Sequence, residues 1–157
     1  MSKNDYTTEL NKSGVIGFVP GGNSMWPILK NRKQSVVVQK KTEKLKRFDV
    51  ALYTRPDGGY VLHRVMEQTE TGYIMCGDSQ YSLEPVLEEK VVGYMSGFYR
   101  GKKYIECTNP KYKKQVENWY GKKTIRKIRL KLFYLRVRIK NKLKKIFGKN
   151  LSGEQND

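Results

Sequence analysis

Histidine is almost missing from this chain, whose 157 residues hold one, His63. The two cysteines, Cys76 and Cys107, lack metal-ligand spacing and do not resemble the framework of a disulfide-stapled secreted domain. Reduced thiols in a cytoplasmic protein are the expectation, with neither a metal nor a cofactor. No run of 18 apolar residues occurs, so no membrane-spanning helix is predicted, and the first ten residues are polar instead of signal-like. Acidic residues are scarce in one region only. Residues 1–121 hold 19 Lys and Arg against 13 Asp and Glu, whereas residues 122–149 hold 13 against none. Most of the net charge of +17 therefore sits in one short segment.

What is present divides the chain by period. The 38% hydrophobic content supports a modest core, enough for one domain and an appendage. Residues 1–12 read as polar and loose. From 13 to 108, short apolar or alternating runs rich in valine and tyrosine are broken by glycine, proline and aspartate, which predicts a compact, mainly antiparallel β domain. Strands are expected over 15–19, 35–39, 49–55, 60–66, 73–76 and 90–94, with a last hairpin pairing 97–100 with 103–107. Pro56-Asp57-Gly58-Gly59 supplies the turn between the third and fourth strands, since proline presets φ and glycine tolerates positive φ.

Ser24 lies in Gly22-Asn23-Ser24-Met25-Trp26-Pro27, and the lone histidine follows in Val61-Leu62-His63-Arg64-Val65. A serine hydroxyl becomes a useful nucleophile only when a base takes its proton, and a neutral imidazole suits that exchange. Period two puts Val61, His63 and Val65 on one strand face, where partial desolvation would favour the neutral ring. Taken singly, Ser24 is good turn material and His63 a satisfied strand histidine. Their pairing makes the catalytic reading the stronger one.

Three boxes in order resemble the type I signal peptidase family, in the clan that also holds the self-cleaving SOS repressors. They are Ser24-Met25-Trp26-Pro27, His63-Arg64-Val65 as in endoplasmic-reticulum and archaeal-like members, and Gly77-Asp78 followed by Glu84. The resemblance implies a Ser24–His63 endopeptidase that removes a leader or signal-like segment from a peptide or protein precursor. It also implies an acid that orients the imidazole, assigned by spacing to Glu84, with Asp78 holding the loop. Gly22 stands where relatives often place an oxyanion-binding serine. That duty is expected of the Ser24 backbone N–H, with help from Asn23, while Met25 is expected either in the core or on the substrate pocket. Glu84 replaces the usual aspartate, and the N-terminal spanning anchor typical of the family is not seen. A non-catalytic module binding peptides or acidic surfaces on the same β fold is the alternative.

Beyond Lys111 the period becomes helical. Ile125, Ile128, Leu132, Leu135, Ile139, Leu143 and Ile146 recur at steps of three or four, widened by Leu130, Phe133 and Val137, so a basic amphipathic helix is predicted over 111–148 with a disordered tail over 149–157. The stripe, flanked by basic residues such as Lys127 and Arg136, predicts peripheral attachment to an anionic membrane on its cytoplasmic face. Nucleic acid is not expected as a partner, because it would leave the Ile/Leu stripe without a role. Packing on the β domain or on an acidic partner helix remains an alternative for the stripe, and oligomeric state is left open.

Overall fold

The computed structural model describes residues 5–150, with side chains in the last helix described to Leu143. It contains a mainly antiparallel β sheet and a C-terminal helix. Eight strands form one sheet: β1 (Val15–Phe18), β2 (Val36–Lys40), β3 (Val50–Thr54), β4 (Tyr60–Gln68), β5 (Gly72–Cys76), β6 (Glu84–Leu87), β7 (Val91–Arg100) and β8 (Lys103–Glu106). Their order is β1-β2-β7-β3-β4-β5-β6, and β8 pairs with the far half of β7. Every pairing is antiparallel. The chain divides into two units, Met1–Val116 and Glu117–Asp157.

Within the first unit, β3 and β4 form the hairpin that the turn residues predict. Gly58 has φ +74°, and Arg55 N–H donates to the Gly59 carbonyl at 2.9 Å. The register sets Ala51 opposite His63 and Tyr53 opposite Val61. Ala51, Tyr53, Val65, Tyr73, Met75 and Val86 form a buried apolar cluster on that face. Both faces of β4 are covered, since Leu62, His63, Arg64 and Val65 are all buried.

Three features depart from the expected elements. Residues 90–94 and 97–100 belong to one continuous strand, β7, because Gly93 and Gly97 let neighbouring chains approach closely instead of ending the strand. A Cβ at Gly93 would lie 2.5 Å from the Gln39 carbonyl oxygen. A short strand, β6, forms where a loop was expected, and its start at Glu84 pairs with Met75. Of residues 1–12, expected to be loose, 6–12 belong to helix α1 (Tyr6–Ser13). Asp5 caps its first turn by accepting from Thr8 N–H, Gly14 closes it at φ +72°, and Leu10 is buried. Tyr6 stacks on Phe18 with ring centroids 4.6 Å apart, which fixes α1 beside β1.

Arg64 is wholly buried and fully engaged. Its Nε and Nη2 donate to the two Asp78 oxygens, each at 2.7 Å, while Nη1 donates to the Phe48 carbonyl at 2.6 Å. Tyr112, on the first turns of helix α2 (Pro110–Gly121), contributes its hydroxyl at 3.3 Å from Nη1. The start of α2 is set by Asn109, whose side chain accepts from Lys111 N–H at 2.9 Å, and by Pro110 at the first helical position.

In the second unit, helix α3 (Lys123–Asn150) runs for 28 residues, about 42 Å at the usual helical rise. The helical region expected as one piece is thus two helices separated at Lys122. Arg126 lies over the rings of Tyr120 and Trp119, with distances of 4.8 and 5.9 Å to the centroids. Ile125, Ile128, Leu132, Leu135, Ile139 and Leu143 are all exposed, each by close to half. The Ile146 side chain and residues 151–157 lie outside what is described. Among the described residues no helix is long and apolar enough to cross a membrane.

The buried Arg64–Asp78 pair sets the first expected outcome. Asp78→Ala leaves a guanidinium in the interior without its carboxylate, and urea denaturation should show a loss of about 3–5 kcal/mol in unfolding free energy.

Candidate active site

The Ser24 turn is held from below by the loop after β5. Ser79 N–H donates to the Ser24 carbonyl at 2.8 Å, and Ser79 Oγ donates to the Asn23 carbonyl at the same distance. The approach is so close that a Cβ on Gly77 would lie 2.8 Å from the Ser24 carbonyl oxygen. Asp78, between Gly77 and Ser79, is the residue locked to Arg64. The third sequence box therefore acts on the first one through the backbone, with Asp78 holding the loop.

Ser24 and His63 line the same cleft of about 310 Å³. Gly22, at φ +84°, and Met25 line it too, as do Tyr6 and Phe18. Met25 is also buried, so it serves both the core and the pocket wall. Asn23 differs from the expectation. It gives its carbonyl to Trp26 N–H and Ser79 Oγ–H, and it is not among the residues lining the cleft, because the turn directs it to solvent. No hydrogen bond joins Ser24 Oγ to His63 among the described residues, and the Ser24 N–H is engaged by no other group there.

His63 is 3% exposed, and burial lowers its pKa from the ordinary 6.5, with nearby Glu84 opposing that shift and Arg55 adding to it. The imidazole is therefore neutral at neutral pH. Glu84 does not touch the ring directly as expected: its Oε2 is 3.7 Å from His63 Nδ1, beyond hydrogen-bond reach. Tyr53 stands between them, 3.0 Å from Nδ1 and 2.8 Å from Glu84 Oε2. Arg55 clamps the same carboxylate, its Nε at 2.9 Å and Nη2 at 2.7 Å. Hydrogen bonding to Arg55 is the main reason that Glu84 is held below the usual carboxylate range, and burial followed by Glu84 pushes the Tyr53 phenol far above its own.

Sequence reasoning missed Tyr53 and Arg55. The signal was present in the hairpin register, since cross-strand partners share a face and Tyr53 and Arg55 alternate in step with Ala51 opposite His63.

Among the described residues no group of three His, Cys, Asp or Glu side chains is placed to hold a metal ion. The arrangement suits nucleophilic chemistry: a hydroxyl and a buried imidazole share one cleft, and a carboxylate is linked to the ring through Tyr53. No protein-family model and no curated protein matches the chain.

The lowered pKa of His63 has a measurable sign. The unfolded chain takes up its histidine proton near 6.5 and the folded chain only at lower pH, so stability present above pH 6.5 declines as pH falls through that window. A proton NMR titration of this single imidazole should show a midpoint below 6.5, and a midpoint above it would contradict the burial argument.

Proposed function

We propose that the protein is a serine endopeptidase of the signal-peptidase type, cutting a leader or signal-like segment from a peptide or protein precursor. The observation that carries this reading is that Ser24 and a buried His63, whose pKa burial lowers, line one cleft. In the mechanism, Ser24 Oγ attacks the scissile carbonyl and His63 Nε2 takes its proton. The Ser24 N–H is the donor available for the oxyanion. The imidazolium then gives the proton to the leaving amine, and water releases the acyl group by the same route in reverse.

The exposed stripe on α3 supports attachment to an anionic membrane. Six half-exposed Ile and Leu residues follow one helical face, and the segment 122–149 carries 13 basic residues and no acid. Each basic residue near such a surface contributes on the order of 1 kcal/mol, and the stripe adds its apolar area. In this reading Lys127 and Arg136 meet headgroups, and the enzyme works peripherally on the cytoplasmic face.

Two experiments test these parts separately. Ser24→Ala and His63→Ala should each abolish cleavage of a precursor peptide, followed by mass spectrometry, with thermal unfolding still cooperative. Cleavage that survives both changes leaves a peptide-binding module instead. In vesicle flotation, the full chain should rise with anionic vesicles, and Leu132→Glu combined with Ile139→Glu should leave it at the bottom. Equal flotation of both chains would remove α3 as the anchor.

A further inference from the structure

We infer that Tyr53 is the positioning residue of His63, and that Glu84 sets the tautomer of the imidazole through the Tyr53 hydroxyl and not by direct contact. The catalytic consequence rests on the peptidase reading above, whereas the tautomer itself does not.

The argument is a count of protons. A phenol has one proton to donate, and a carboxylate has none. Glu84 accepts both donors of the Arg55 fork, so it is ionised, and a hydrogen bond to an ionised acceptor is stronger than one to a neutral ring nitrogen. The Tyr53 proton therefore lies on the 2.8 Å line to Glu84 Oε2. Tyr53 Oη then has only lone pairs to present to His63 Nδ1, 3.0 Å away, and Nδ1 must be the nitrogen that carries hydrogen. Nε2 is left with its lone pair, as a base requires.

Burial and the arginine make the arrangement rigid. Tyr53 is wholly buried and His63 nearly so, which leaves little room for water to substitute for the phenol. Arg55 holds Glu84 in a place from which Oε2 stays 3.7 Å from Nδ1, so the carboxylate acts across the hydroxyl. In the reaction, the Ser24 proton moves to Nε2 and on to the leaving nitrogen. The Nδ1 proton and the Tyr53 proton stay where they are.

The test reads the histidine nitrogens directly. With one histidine in the chain, isotope-labelled imidazole nitrogens give one unambiguous pair of NMR signals. Well above its titration midpoint, the intact protein should show Nδ1 protonated and Nε2 bare. Tyr53→Phe removes only the hydroxyl and should shift the population to the Nε2–H form. Glu84→Ala, at a half-buried site less exposed to folding failure, should do the same, because the freed Tyr53 proton turns toward Nδ1. With precursor peptide, Tyr53→Phe should lower kcat by about ten- to a hundredfold and leave KM unchanged, as expected for loss of a group that orients a histidine. An Nε2–H ring in the intact protein overturns the inference, and so does an Nδ1–H ring that persists in either variant. A tautomer switch in a chain that cleaves nothing upholds the relay and sinks the peptidase reading.

Discussion

The ion pair between Arg64 and Asp78 joins the two halves of the candidate site. Arg64 follows His63 on β4, and Asp78 precedes Ser79, whose N–H and hydroxyl hold the Ser24 turn. Two bonds of 2.7 Å in the interior thus fix the strand that carries His63 relative to the turn that carries Ser24. A buried pair of this kind adds little net stability compared with apolar packing, yet removing one member is costly. Its value here is geometric. The bidentate fork admits one relative orientation of β4 and the loop, and the Phe48 carbonyl takes a third donor of the same guanidinium.

That constraint explains why three short sequence boxes, far apart along the chain, read as one unit. Ser24, His63 and Asp78 were legible because each sits in a run whose residue types have few other uses: a glycine-rich turn, a lone histidine between valines, an acid after glycine. The strands were legible for the usual reason that alternation and turn residues are local signals. The hairpin at Pro56-Asp57-Gly58-Gly59 is the clearest case, since its positive φ at Gly58 is a local demand.

What was not legible depends on pairing between distant segments. Glu84 was assigned to the imidazole by spacing, but spacing does not reveal that a tyrosine from β3 occupies the intervening position. Only the register of β3 against β4, together with β6 reaching the same face, brings Tyr53, His63 and Glu84 together. Strand β6 itself is short, and one of its four residues is proline, which cannot donate to a ladder; its place at the sheet edge makes that tolerable. Helix α1 was overlooked because its composition is polar. Its signals are the capping Asp5, the closing Gly14 and the single buried Leu10, and its stability derives from Tyr6 on Phe18 and from hydrogen bonds among Asp5, Thr7 and Tyr60.

In the proposed reaction, His63 has to meet two competing needs of a general base. Burial lowers its pKa, which favours the neutral ring and its free lone pair at neutral pH, but a base with a lower pKa also pulls less strongly on a proton. Glu84 could offset this by stabilising the imidazolium formed during attack. Its charge, however, is divided, since Arg55 takes both carboxylate oxygens and acts on His63 in the opposite sense. Under the relay inferred above, the carboxylate acts on the ring through orientation as well as through its field. A tyrosine is well suited to that role: it is neutral, buries without the desolvation cost of a second charge, and passes on the direction of a hydrogen bond without passing on the full charge. In the proposed mechanism, His63 would be ready as the base at neutral pH, and stabilisation of the transition state would rest on the groups that meet the oxyanion.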